Sequence, residues 1–161
     1  MSKVRFVAPL GLAMMLCAES FLYAQTAVPP AAPLPAQILS AKKVFISNAS
    51  AEFTSDSWSG GMDRTYNEFY AATKNWGRYE LVQTPGDADI VFEISLTVGQ
   101  PYSSFKLRLL DPKTNIVLWT IIEYFPQTAT KNTRDKKFDG GIDAVVGDLK
   151  ALVSGPAVAA Q

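Results

Sequence analysis

An alternating segment in the middle of the chain constrains the fold more than any other feature. Within residues 89–98 every second position carries a large apolar side chain. These positions are Ile90, Phe92, Ile94, Leu96 and Val98. A period of two is typical of a β-strand that buries one face. The segment therefore needs a second layer to cover that face, and an isolated strand or an all-helical fold is excluded.

Two further strands follow, at residues 105–110 and 116–125, and the turn between them has a physical basis. Asp111 can accept backbone hydrogen bonds, Pro112 fixes φ at the second turn position, and Asn115 tolerates a left-handed exit. This pattern predicts an antiparallel hairpin. Two shorter strands are predicted at residues 42–47 and 79–82.

Two amphipathic helices complete the pattern. In residues 62–76 the apolar side chains recur at helical spacing, Asp63 lies in the first turn, and Gly77 follows as a stop. The second helix lies within residues 136–153. Gly140 and Gly141 weaken its first turn, so we expect the helix to start between Lys136 and, at the latest, Asp139.

The element order is therefore β-α-β-β-β-β-α. The first β-α-β unit is compatible with a parallel crossover, and the later strands favour antiparallel hairpins. Each helix has one apolar stripe, which suits packing on one face of a sheet. We predict an α+β, two-layer sandwich of about five mostly antiparallel strands, with two helices on one face, in a single domain at residues 38–153.

The N-terminal residues 1–24 have the pattern of a signal peptide. Lys3 and Arg5 precede an apolar run that is too short to cross a bilayer, and Ala24 provides a small residue for cleavage. We predict cleavage after Ala24 and a periplasmic or secreted mature chain without a transmembrane span. Lipidation at Cys17 is disfavoured because bulky Leu16 precedes it. Retention of the segment as an N-terminal anchor is the alternative.

Residues 25–37 contain four prolines among many alanines, a composition typical of a semi-rigid linker. Residues 154–161 are predicted to be a disordered tail. Another loop, after the first strand, is rich in Ser, Gly and Asn. It carries Phe53 and Trp58, so we expect it to fold back onto the domain.

Composition excludes several kinds of chemistry. The 161-residue chain has no histidine, and its single cysteine, Cys17, would leave with the signal peptide. The mature chain would then lack a His general base, a thiolate nucleophile, a disulfide and every imidazole or thiolate metal ligand. It would hold 13 basic and 14 acidic residues. This balance argues against nucleic-acid binding, which favours a basic stripe.

Acidic residues near the last helix do not form a convincing metal site. Asp135, Asp139 and Gly140 resemble part of a calcium loop, but Lys137 and Val146 occupy positions where that loop needs oxygen ligands. We interpret these acids as solvated charge at a helix start and predict no metal site and no cofactor.

The polar loops contain the candidate binding residues. Tryptophan, tyrosine and arginine are the residue types most enriched among the residues that dominate protein interfaces. We therefore name Trp58, Tyr102 and Arg134 as candidate binding residues. For Trp58 the alternative is packing beneath its loop. No catalytic residue is predicted.

Three stretches carry a resemblance to a known kind of domain. They are Trp76 to Val82, Gly86 to Glu93, and Leu107 to Trp119. A helix followed by a short strand, a strand opening on Ala-Asp, and a hairpin ending in Leu-Trp resemble the small exported α/β domains of bacterial envelopes. These include uncharacterised lipoprotein-like domains and the N-terminal domain of TolB, although no β-propeller follows here. The resemblance spans residues 42–153 and implies location and architecture; no functional residue carries over.

We therefore interpret the chain as a non-enzymatic periplasmic or secreted domain that binds other proteins of the bacterial envelope. One alternative is a module that holds a small molecule or lipid between sheet and helices. Another is a hydrolase that uses only Asp, Glu, Lys or Ser.

Overall fold

The computed structural model describes residues 33–50 and 58–154. Its helices are α1 (Ala36–Ser40), α2 (Arg64–Trp76) and α3 (Lys131–Ser154). Its strands are β1 (Lys43–Asn48), β2 (Glu80–Leu81), β3 (Ile90–Thr97), β4 (Tyr102–Leu110) and β5 (Val117–Pro126). The predicted signal peptide, most of the predicted linker, Phe53 and residues 155–161 lie outside the described residues.

The five strands form one sheet in the order β2-β1-β3-β4-β5. β1 pairs with β2 and β3 in parallel. The β3–β4 and β4–β5 pairs are antiparallel, and each contains more paired residues than either parallel pair. α2 contacts β1 and β3, and α3 contacts β4 and β5. The predicted α+β class, with five mostly antiparallel strands and helices on one face, is confirmed.

The space between the sheet and the helices is filled by large side chains. The largest fully buried ones, in order of volume, begin with Phe69, Phe92, Phe105 and Phe138, followed by Ile38, Ile90, Ile94, Leu107, Leu109 and Leu149. The alternating positions of β3 all contribute as expected, because their apolar side chains point toward the helices. This burial supplies the main driving force for folding.

The turn between β4 and β5 has the predicted form. The Asp111 carboxylate accepts the Lys113 backbone N–H at 2.8 Å, and the Asp111 N–H donates to the Ile116 carbonyl at 3.0 Å. Asn115 adopts the left-handed conformation with φ of 57°. Local turn chemistry therefore sets the register that places β5 at the edge of the sheet.

α3 begins at Lys131, so the prediction of a start between Lys136 and Asp139 is wrong. Gly141 explains the difference. A Cβ built on Gly141 would lie 2.8 Å from the Phe105 ring and 3.3 Å from the Phe125 ring. The glycine thus lets the middle of α3 approach the sheet closely, and packing outweighs its low helix propensity.

α1 was not predicted, because five residues are too few to show a helical period. It is held by tertiary contacts. Its Ile38 is buried in the core, and the Gln37 side-chain amide donates to the Asp89 carbonyl at 2.8 Å. The Asp89 carboxylate accepts the backbone N–H groups of Lys43 and Lys42, at 2.9 Å each. These two bonds lower the pKa of Asp89.

Candidate functional site

Trp58, the first predicted binding residue, lies in the core with 8% of its surface exposed. Its ring centroid is 6.2 Å from that of Phe125 and 5.9 Å from that of Phe138. The end of the loop therefore folds back onto the domain, as expected, and the indole packs beneath it. Packing of this kind was the alternative to a binding role for Trp58, and the binding role stays a prediction.

Tyr102 and Arg134 lie in different settings. Tyr102 begins β4 on the face of the sheet opposite the helices, and 57% of it is exposed. Arg134 lies in the first turns of α3 and donates to the carbonyls of Thr128 and Ala129, both at 2.9 Å. Trp58 and Tyr102 lie on opposite faces of the sheet, so the three predicted residues do not form one site.

An ion-pair network centred on Arg64 ties the two long helices together. The guanidinium of this α2 residue pairs with Glu68 one turn along, and with Asp135 and Asp139 of α3. It also lies over the Phe138 ring, 4.3 Å from the centroid. Asp135 and Asp139 are therefore paired side chains, and neither lies at the start of α3, where the sequence interpretation placed them. Asp139 stays 54% exposed to solvent, whereas Asp135 is 20% exposed.

Asp135 also holds the loop that precedes α2. Its two carboxylate oxygens accept the Ser59 backbone N–H at 2.9 Å and the Ser59 hydroxyl at 2.8 Å. These bonds, with Arg64 adding to them, lower the pKa of Asp135 to about 2. Among the described residues there is no group of three or more His, Cys, Asp or Glu that could hold a metal ion. The cluster is accounted for by structure alone.

The free edge of β5 is the feature most suited to binding. β5 is ten residues long and pairs with β4 on one side, and no strand in the described part of the chain pairs with its other side. The backbone N–H and C=O groups along such an edge can pair with a strand of another chain. Proteins usually protect edges of this length, and β5 is long and carries a single charged side chain, Glu123.

An apolar flank accompanies this edge on the outer face of the sheet. The register places Tyr124 opposite Ser104 and Ile122 opposite Lys106, which puts both side chains on the face without helices. Tyr124 is 71% exposed and Ile122 is 41% exposed. Tyr102 lies at the same corner, since it pairs with Pro126. Exposed aromatic and aliphatic side chains in a group are typical of interaction surfaces.

A groove follows the edge on its other side, between β5 and α3. We call it the β5 groove. Its two depressions, each of about 330 Å³, adjoin along β5: one is lined by Ile122 and its neighbours, the other by Glu123 and its neighbours. The α3 side is formed mainly by residues four apart, namely Gly140, Ala144, Asp148 and Leu152.

A pair of carboxyl groups marks the junction of the two depressions. The side chains of Glu123 on β5 and Asp148 on α3 lie close enough to interact directly. The interaction with Asp148, together with burial, raises the pKa of Glu123. Two acidic side chains this close repel each other when both are ionised, so a positive charge placed between them is favoured.

Sequence reasoning missed Ile122, Tyr124, Glu123 and Asp148. The first two could have been found, because the alternation of β5 places them on the outward face of a predicted strand. The carboxyl pair could not, because nothing in the sequence signals that β5 and this turn of α3 lie side by side.

A third depression, of about 450 Å³, lies at the other end of the sheet between α1 and the β4–β5 turn. Its acids, Asp89 and Asp111, already accept local backbone hydrogen bonds. It is lined mostly by short polar or charged side chains, and it offers a ligand no apolar anchor.

Comparison with known proteins finds several solved structures with a similar arrangement, of which three are described here. A PelC variant dodecamer from Paraburkholderia phytofirmans is 12% identical, with 73% of this chain and 94% of that chain covered, at a TM-score of 0.48. The LpoB C-terminal domain from Salmonella enterica is 12% identical, with 53% of this chain and 83% of that chain covered, at a TM-score of 0.38. A lipoprotein from Neisseria meningitidis is 14% identical, with 67% of this chain and 96% of that chain covered, at a TM-score of 0.40.

No family model and no curated protein matches the sequence. All three TM-scores are below 0.5 and the identities are 12–14%, so these likenesses give the chain no family and no function. Within residues 33–50 and 58–154, no helix is long and apolar enough to cross a membrane.

Proposed function

We propose that this chain is a non-enzymatic domain that binds other proteins of the bacterial envelope through the free edge of β5 and the adjoining outer face. The observation that carries the proposal is the ten-residue edge strand with Ile122 and Tyr124 exposed beside it. A free edge supplies hydrogen bonds, and neighbouring apolar side chains supply buried area, which together suffice for protein recognition.

The filled interior of the domain supports protein binding over the alternative of a small-molecule or lipid-binding module. Phe69, Phe92, Phe105 and Phe138 are fully buried between the sheet and the helices, where that alternative would place its ligand. Binding would have to occur at the surface. The signal-like N-terminus and the linker-like residues after it support an exported domain that reaches toward partners.

The side chains supplied by the sequence support a non-catalytic role. The chain has no histidine, and its single cysteine lies in the predicted signal peptide. The carboxylates of the Arg64 network hold a loop and two helices together. The Glu123–Asp148 pair lies beside a strand edge, where a bound backbone would pass.

A photo-crosslinking experiment tests the proposal. A photoreactive phenylalanine analogue replaces Tyr124 in the full chain, and the matched control carries it at Met62, which is exposed just before α2. We expect discrete protein adducts in the native envelope from position 124 only. Excess unlabelled chain should remove them, whereas excess Ile122→Lys chain should not. Equal adducts from both positions, or none from position 124, would overturn the proposal.

A further inference from the structure

The proposed function leaves the chemistry of the partner open, and the β5 groove limits it. The described length of β5 has no strand on its outer side, so its unpaired N–H and C=O groups can be matched fully only by another extended backbone. A helix or a compact loop would satisfy few of them. The occupant of the edge is therefore a strand.

The wall of the groove leaves room for that strand. A Cβ built on Gly140 would meet nothing within 4 Å, and Ala144 one turn later is also small. This open position contrasts with Gly141, whose Cβ would strike the Phe105 ring. The two glycines therefore have different roles: Gly141 lets α3 approach the sheet, and Gly140 keeps the groove open.

The carboxyl pair sets the charge of the strand that enters. In an added strand, every second side chain would point into the groove toward Glu123 and Asp148. A lysine or arginine there would interact favourably with both acidic side chains, which line adjoining parts of the groove. Lys136 and Lys137 line the opposite end of the groove, beside Pro126, so the preference for a cation is confined to the junction.

The intervening side chains of the added strand point to the outer face. There they would lie beside Ile122 and Tyr124, both of which are exposed. Apolar or β-branched residues fit these positions, because cross-strand pairs of this kind stabilise sheets. A second copy of the chain fits less well, since its β5 would bring another Glu123 to an acidic junction.

On this basis, and resting on the proposed function, we propose that the partner contributes an extended segment that extends the sheet at β5. The segment carries a lysine or arginine between Glu123 and Asp148, flanked on both sides by apolar or β-branched residues that contact Ile122 and Tyr124.

Titration of the full chain with a designed peptide tests this inference. The probe is a short peptide of alternating Thr and Val with a central Lys, and its control has Glu at the centre. We expect the Lys peptide to bind at least about tenfold more tightly. The double variant Glu123→Gln with Asp148→Asn should remove that preference, while residual binding through the backbone remains.

Two substitutions at one position test the place of binding. Gly140→Phe should fill the groove and abolish binding of the Lys peptide, whereas Gly140→Ala adds only a methyl group at the wall and should keep it. Circular dichroism and thermal unfolding confirm that both variants are folded. Equal affinity for the Lys and Glu peptides, or unchanged binding by Gly140→Phe, would overturn the inference.

The two proposals fail in different ways. If adducts form at position 124 but the Lys peptide binds no better than the Glu peptide, the proposed function stands and the partner is not a basic strand. If no adducts form at position 124, the proposed function fails, whatever the peptide does.

Discussion

The two edges of the sheet are built in opposite ways. β2 has only two residues, and Lys43 of its neighbour β1 forms an ion pair with Glu80 across the register. β5 has ten residues, with exposed Ile122 and Tyr124 on its outer face and a groove on its inner side. Shortness and charge are common devices that prevent strand addition. One edge is protected against another chain and the other is open to it, which supports the proposed binding at β5.

The largest expected effect tests how α3 is placed over the open edge. Replacing Gly141 by Ala puts a methyl group into the Phe105 ring, while Gly140→Ala puts the same group into open space. Because both changes improve helix propensity equally, the difference in unfolding free energy isolates the clash. We expect Gly141→Ala to be less stable by about 1–3 kcal/mol, measured by urea denaturation. Equal stability of the two variants would contradict the close approach of α3.

A somewhat smaller loss is expected at Arg64, which joins the helix over β1 and β3 to the helix over β4 and β5. Arg64→Met keeps apolar contact with Phe138 but leaves Asp135 and Asp139 without their cation. We expect a loss of about 1–2 kcal/mol in urea denaturation. Lys74→Met, on an exposed part of α2, is the control and should change little. A loss no greater than that of the control would show that the network does not join the two halves.

Acid should weaken the same junction through the protonation of Asp135. The pKa of Asp135 is lowered to about 2 in the folded chain, below its ordinary value of 3.8. Its ionised form therefore stabilises the fold above pH 4, and this contribution is lost as the pH falls toward 2. Asp135→Asn should lower the melting temperature at pH 6 and make its decline between pH 4 and 2 shallower. Parallel melting curves for the two proteins would contradict this assignment.

These predictions also show how far the sequence determines the fold. Alternation from Ile90 onward and the Asp111-Pro112 turn are local signals, and they predicted β3, β4 and β5 correctly. The start of α3 was predicted wrongly because Gly141 looks like a weak helix residue until Phe105 is seen beside it. The contacts of Arg64 with Asp135 and Asp139 were missed for the same reason: they join elements that are distant in sequence.

A smaller effect on stability separates binding from folding at the open edge. Ile122→Thr keeps a β-branched side chain on an exposed position, so we expect stability within about 0.5 kcal/mol of the native chain. Binding of the Lys peptide should nevertheless weaken, because an apolar contact on the outer face is lost. Calorimetric titration alongside urea denaturation measures both. Unchanged peptide affinity would remove Ile122 from the binding surface.

The smallest effect is expected at the protected edge. The ion pair between Lys43 and Glu80 spans 3.8 Å, and both side chains are largely exposed. Lys43→Gln should therefore change the unfolding free energy by no more than about 0.5 kcal/mol. It should leave peptide binding at β5 intact. A measurable loss of peptide affinity would show that the two edges are coupled, which the structure gives no reason to expect.

Amide hydrogen exchange, followed by NMR in the full chain with and without the Lys peptide, compares the two edges most directly. We expect saturating peptide to slow exchange at the outward-facing amides of β5 and to leave β2 unchanged, because only β5 gains hydrogen bonds from an added strand. Slower exchange at β2, or bound peptide with no change at β5, would contradict the claim that the free edge of β5 is the docking surface.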